Sequence, residues 1–246
     1  MRIHGAALTN TGLARSTNED CIVFENRHEA VSMTHPRSFS CELTRNCVLT
    51  VADGMGGHNA GEQASQYAST WLSERLNLAK SERDIEVLLK AVNRQLYEMA
   101  STDRAMLGMG TTIAGILVSQ DRVMWFNVGD SKVFRFRNNY LRQLSIDDVP
   151  IITVAKQSTH TITQALGGAR SFVEIDPHVG SEPVVAGWRY LLCSDGLTDV
   201  LSVEAIERAM LDDDFVALGT LLGLVVEAGA PDNISAIAVT IDGNAK

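Results

Sequence analysis

Four apolar, strand-like runs each end or begin at an aspartate. VLTVADGMGGH places Asp53 after such a run, WFNVGDSK does so for Asp130, and YLLCSDGLTD for Asp195, with Asp199 one helical turn on. PDNISAIAVTI places Asp232 just before one. Aspartate is a poor strand former and costly to bury unpaired. Carboxylates presented at several strand ends suggest a shared charge partner, and a cluster of hard divalent cations is the obvious candidate. In DGMGGH, Asp53 has two oxygens that can bridge two cations, and Gly54 lets a backbone carbonyl approach closely. No Gly-Lys-Ser/Thr follows, so the phosphate-cradling P-loop reading fails. Oxygen-only donors favour Mg²⁺ or Mn²⁺ over zinc. In RSTNED, Arg15 can make a bidentate fork to a phosphate, and Glu19 and Asp20 can hold metal-bound waters. Each piece has a plainer reading. RSTNED can be an exposed charged loop, Asp199 a helix cap and Asp232-Asn233 an ordinary turn.

The elements that must position these groups follow from periodicity. Ile3 to Leu8, Cys21 to Glu25 and Cys47 to Ala52 read as strands, and residues 26–46 as a polar surface connection. Residues 61–79 and 82–100 carry apolar side chains at helical spacing, with Ser81 and Asp84 resembling a capping box. Strands are expected at Thr111 to Val118, Val123 to Val128, Val133 to Phe136 and Tyr140 to Leu144, with a hairpin turn at Asn138-Asn139. Phe172 to Ile175, Tyr190 to Cys193 and Ile234 to Ile241 read as three more, with helices at about 202–211 and 214–228. Short connections imply antiparallel pairing. Helices in pairs and strands in runs point to an α+β fold of packed antiparallel sheets covered by helices.

The 246 residues are 45% hydrophobic and 21% charged, ordinary values for a soluble globular protein. No linker or repeat interrupts them, so one domain over 1–246 is expected. The net charge of −9 and the absence of a Lys/Arg run argue against nucleic-acid binding. Cys21, Cys41, Cys47 and Cys193 form no C-x-x-C pair, so reduced thiols are expected rather than a zinc site. No apolar stretch approaches the ~20 residues of a membrane span. The start, MRIHGAALTNTG, lacks a signal-peptide apolar region, so a cytoplasmic location is expected. No dimerisation element stands out, and a monomer is expected.

Taken in order, RSTNED, VADGMGGH, GMGTT (Gly108 to Thr112), NVGDSK, ITQALGG (Ile162 to Gly168), LLCSDGLTDVL and PDNIS resemble the signature blocks of the metal-dependent protein phosphatases of the 2C type, in their bacterial form. The resemblance covers nearly the whole chain. It implies a four-layer αββα sandwich, two antiparallel β-sheets flanked by pairs of helices. It implies a binuclear Mn²⁺ or Mg²⁺ site at one end, hydrolysing phosphoserine and phosphothreonine in proteins phosphorylated by a Ser/Thr kinase. Asp53 would bridge both metals, Asp195 and Asp232 would bind the first and the Gly54 carbonyl the second. Glu19 and Asp20 would act through waters, and Asp130, Asp195 and Asp199 would form a third site. Arg15 would hold the substrate phosphate. The chemistry agrees: a water shared by two divalent ions loses its proton near neutral pH and attacks phosphorus in line.

Two departures from the pattern stand out. Many eukaryotic members carry a histidine, thought to protonate the leaving group, where this chain has Met55; a metal-bound water and His58 are the candidate substitutes. The stretch 147–161, where most bacterial members place a helical flap, looks short and β-branched, so a reduced flap and a more open groove are expected. A second reading is a catalytically weak or silent relative that binds and regulates a phosphoprotein. A third, a metal-dependent phosphodiesterase, fits the acidic chain poorly.

Overall fold

Strand β5, CVLTVA, is buried at every position, as a strand covered on both faces must be. Around it a computed structural model describes residues 1–25, 27–56, 60–150 and 161–243. The chain runs β1 (Arg2–Asn10), β2 (Cys21–Phe24), β3 (Arg27–Glu29), β4 (Arg37–Glu42), β5 (Cys47–Ala52) and β6 (Gly54–Met55). Helices α1 (Ala60–Leu76) and α2 (Glu82–Thr102) follow. Then come β7 (Gly110–Thr111), β8 (Ile113–Val118), β9 (Arg122–Val128), β10 (Lys132–Arg137), β11 (Tyr140–Gln143), β12 (Leu166–Gly167), β13 (His178–Pro183) and β14 (Arg189–Cys193). The chain closes with α3 (Asp195–Thr198), α4 (Val203–Ala209), α5 (Asp214–Glu227) and β15 (Ile234–Ile241).

Two six-stranded sheets form, in the orders β11-β10-β14-β15-β1-β4 and β13-β9-β8-β5-β2-β3. All their pairings are antiparallel. Helices α1 and α2 pack together, with α1 lying on β2 and β5 of one sheet, while α4 packs on α5 and α5 on β1 and β15 of the other. The expected α+β, four-layer αββα sandwich is therefore the observed architecture. One apolar cluster fills the space between the sheets and under α4 and α5; a second lies beneath α1 and α2. In α2, Ile85, Leu89, Val92 and Leu96 turn one face inward. Its start is held by the capping box: Asp84 N–H donates to Ser81 Oγ at 3.3 Å, and Ser81 N–H to Asp84 Oδ2 at 3.1 Å. Asn138 and Asn139, at φ 50° and 67°, make the tight β10–β11 hairpin, where positive φ at both positions matches the strand twist.

Two expectations fail. Residues 26–46 are not merely a surface connection, because Arg37–Glu42 is an edge strand on β1 and Arg27–Glu29 one on β2. An edge strand buries one side only, and in β4 Phe39 alone is fully inward, so no apolar run advertised it. Phe172 to Ile175 is not a strand. Its side chains dock on α2 instead, with Phe172 edge-on to Tyr97 at 5.3 Å and Asn93 Nδ2 donating to the Val173 carbonyl at 2.9 Å. The strand on β9 is the polar HVGSEP, six residues later.

Candidate metal centre

Antiparallel register gathers the carboxylates. Cys21 pairs with Ala52, so Asp20 and Asp53 leave neighbouring strands at the same end of one sheet. Cys193 pairs with Ala236 and Asn10 with Ile234, which brings Asp195, Asp232 and the Arg15 loop to that end of the other sheet. Asp130 lies on the crossover from β9 in one sheet to β10 in the other. Arg15, Glu19, Asp53, Gly54, Asp130, Asp195 and Asp232 all line one cleft of about 450 Å³, with Met55 and Thr112. Asp20 is fully buried rather than a lining residue. Asp199 is exposed at the end of α3, its N–H donating to the Asp195 carbonyl at 2.8 Å, and it does not line the cleft. His58 lies outside the described residues, as does most of the 147–161 stretch, including 151–160.

The backbone that aims these groups is held from a distance. The Asp53 carbonyl accepts from Thr112 N–H and from Thr111 Oγ1, both at 2.8 Å, and Asp53 N–H donates to Thr112 Oγ1 at 3.1 Å. That is the work of the GMGTT motif, for which the sequence reading had no role. A small sheet β12-β7-β6 ties the same motif to Gly54-Met55 and to the ALGG segment. Asn233 Nδ2 donates to the Thr11 and Thr17 carbonyls, and its Oδ1 accepts from Glu19 N–H, all at 2.9 Å, which fastens the Arg15–Glu19 loop beside Asp232. Gly54 has no room for a side chain: a Cβ would stand 2.3 Å from the Gly61 carbonyl oxygen and 2.5 Å from that of Glu19.

Charge inside the cleft is poorly balanced. Burial, then the Asp20 and Asp195 carboxylates and a hydrogen bond to Asp195, push the Asp53 carboxyl well above its ordinary range. Burial pushes Asp20 up to about 7, against hydrogen bonds from Ser235 and Ser194. Asp130 rises to about 6 through burial and the nearby Asp195, with Lys132 opposing. Burial also raises Glu19. Ser194 Oγ donates to Asp20 Oδ2 at 3.0 Å, but Asp20 Oδ1 is buried with no hydrogen-bond partner. Arg15 Nη2 lies 2.7 Å from Asp232 Oδ2, and Arg15 is the one cation among the described residues that line the cleft.

These donors fit hard divalent cations. They are oxygen-only, they repel one another, and one buried oxygen has nothing to bind. Among the described residues, no three His, Cys, Asp or Glu side chains are already closed round one point. The Arg15 guanidinium on Asp232 does part of the work of a cation there. The cleft of about 380 Å³ lined by Arg45, Asn77 and Arg122 gathers no such set among its described residues. Cys21, Cys41, Cys47 and Cys193 form no disulfide in the structure.

The chain is similar along most of its length to known proteins. The chain is 29% identical over 252 residues to the serine/threonine protein phosphatase PstP of Mycobacterium tuberculosis, covering 96% of this chain but 44% of that one. It is 30% identical over 224 residues to the serine/threonine phosphatase stp of Listeria welshimeri, covering 83% and 82%. It thus spans less than half of the mycobacterial relative. Among solved structures, M. tuberculosis PstP/Ppp superposes with a TM-score of 0.81 at 28% identity, covering 99% of this chain and 100% of that one. The catalytic domain of PstP in complex with two manganese ions superposes at 0.80, also at 28% identity, with the same coverage. The family model for protein phosphatase 2C matches residues 37–221, well over half the chain, and the chain belongs to the protein phosphatase 2C family.

Proposed function

We propose that this protein is a metal-dependent phosphatase acting on phosphoserine and phosphothreonine in proteins, with residues 1–246 forming one catalytic domain. The observation that carries the reading is the set of mutually repelling carboxyl groups around Asp53, raised by burial and fronting an open cleft. Asp53, Asp195, Asp232 and the Gly54 carbonyl hold two Mn²⁺ or Mg²⁺ ions, with Glu19 and Asp20 behind them. Asp130 and Asp199 serve a third site. When bound, the ions supply positive charge that makes a water nucleophilic at neutral pH and offsets charge on the phosphoryl oxygens.

The chain's own residues orient the reaction. Thr111 and Thr112 fix the Asp53 backbone, so that its carboxylate faces the cleft without a search. Arg15 leaves Asp232 and turns its planar guanidinium to two oxygens of the substrate phosphate. Met55 contributes no proton to the leaving group, so that proton comes from elsewhere in the cleft. The PstP structure with two manganese ions supports the metal count. No helix among the described residues is long and apolar enough to cross a membrane, which supports action in an aqueous compartment; we place it in the cytoplasm, as a monomer opposing a Ser/Thr kinase.

The test is hydrolysis of p-nitrophenyl phosphate and of a phosphothreonine peptide, with Mn²⁺ or with EDTA. Turnover of both with Mn²⁺, abolished by EDTA, is the expected result. Binding of the phosphopeptide without turnover would replace this reading by that of a regulatory binder.

A further inference from the structure

The β10–β11 hairpin carries a second charged surface, opposite in sign to the cleft. Arg135 and Arg137 lie two positions apart on β10 and therefore share a face. Their cross-strand partners on β11 are Arg142 and Tyr140. Two arginines directly opposite each other repel, and nothing in the fold requires that pairing. The indole of Trp188 holds two of the guanidiniums in place, with Arg135 4.6 Å and Arg137 5.2 Å from its ring centre. Arg135 is ion-paired to Glu182, which also accepts from the Tyr190 hydroxyl. Arg137 and Arg142 are exposed, and among the described residues neither has a carboxylate partner. Glu207 accepts from Leu141 N–H at 2.8 Å. Arg135, Arg137, Arg142 and Tyr140, which is 71% exposed, line an open cleft of about 380 Å³.

We propose that this cleft is a docking site for an acidic, carboxylate-rich stretch of the substrate protein, away from the phosphate being hydrolysed. This rests on the phosphatase reading above. Planar guanidiniums stacked on an aromatic ring suit carboxylate and phosphate groups, whose two oxygens match the fork. A chain of net charge −9 repels such ligands elsewhere, so an uncompensated arginine pair is where they settle. The hairpin is also the continuation of the strand that begins beside Asp130. From Asp130 to Arg137 an extended strand advances about 23 Å at roughly 3.3 Å per residue. A peptide therefore needs about seven or more extended residues between the phosphoresidue in the carboxylate cleft and its acidic stretch.

Two phosphothreonine peptides with one shared core test this, one of them carrying a tract of glutamates about eight residues from the phosphothreonine, placed on either side in turn. On the wild-type protein with Mn²⁺ the tract lowers KM about fivefold with kcat unchanged, as two exposed charge-assisted contacts would give. In Arg137→Ala/Arg142→Ala that advantage disappears, while p-nitrophenyl phosphate turnover stays at the wild-type level. High salt erases it as well. No KM gain on the wild-type protein, or a gain that survives the double substitution, overturns the proposal. So does a single-stranded oligonucleotide that displaces the tract peptide more effectively than the peptide displaces itself. Should the wild-type protein hydrolyse nothing, the phosphatase reading falls alone. Fluorescence anisotropy of a labelled, unphosphorylated tract peptide then decides the docking site, by binding that the double substitution weakens or by no binding at all.

Discussion

Buried carboxylates occur in two kinds of surroundings in this molecule. Asp214, at the start of α5, is 5% exposed and fully provided for. Arg189 donates through Nε and Nη2 to its Oδ1 at 2.9 and 2.6 Å, and Thr240 Oγ1 donates to its Oδ2 at 2.8 Å. Among the described residues, neither the fully buried Asp20 nor the half-buried Asp53, at the other end of the strands, is ion-paired to a cation. Asp20 keeps one buried oxygen with no partner, and Asp53 faces three other carboxylates. The difference separates structure from function. A carboxylate the fold needs is neutralised by the fold, whereas a set left in mutual repulsion is arranged for something that arrives later.

Substitution at the two places should therefore move stability in opposite directions. Asp53→Asn keeps a hydrogen bond to Asp195 and removes the repulsion. It should lower kcat with Mn²⁺ by about a thousandfold or more, roughly 4 kcal/mol of barrier, yet raise the melting temperature in EDTA. A lower melting temperature in EDTA would show that Asp53 is structural. Asp214→Ala leaves Arg189 buried without its partner. It should cost about 3–5 kcal/mol, seen as a melting temperature roughly 10 °C lower, with near-normal activity well below the transition. Activity lost with stability intact would erase the distinction.

The strand-end aspartates and the order of their motifs were legible because they break local rules, charge where strands want apolar or branched residues. The second layer was not. Thr112 bonds Asp53 across 59 positions and Asn233 bonds Glu19 across 214, and no local pattern records such a bond. The same holds for the missed edge strands. HVGSEP and RSFSCE each pair on one side only, so they need neither continuous apolar character nor strong strand propensity. Phe172 to Ile175 has three apolar, strand-prone residues in four, but Phe172 packs on α2.

The comparison also predicts a pH signature. Asp20 ordinarily loses its proton near 3.8 and in the folded protein near about 7. Between those values the unfolded chain has released the proton and the folded chain still holds it. Metal-free stability should therefore fall as pH rises through that window and level off above it. In the proposed centre Mn²⁺ would take the proton's place, so its stabilising effect should be larger at about pH 8 than at about pH 5. Melting curves with EDTA and with Mn²⁺ check this, and a metal-free melting temperature that is flat or rising across the window would sink it.

Arg15 belongs to both sides of the comparison, since it neutralises Asp232 now and holds phosphate in the proposed reaction. Its side chain is 55% exposed and that of Asp232 31%, so the pair itself adds little to stability. Arg15→Ala should leave the melting temperature almost unchanged. The phosphate contact exists before the transition state as well as in it, so its loss should raise KM about tenfold, near 1.4 kcal/mol, with a smaller change in kcat. Because the guanidinium competes with a cation for Asp232, the variant should also bind Mn²⁺ more tightly, read by isothermal titration. Weaker Mn²⁺ binding would mean that Arg15 orders the metal ligands rather than holding the phosphate, and an unchanged KM would remove it from the substrate site altogether.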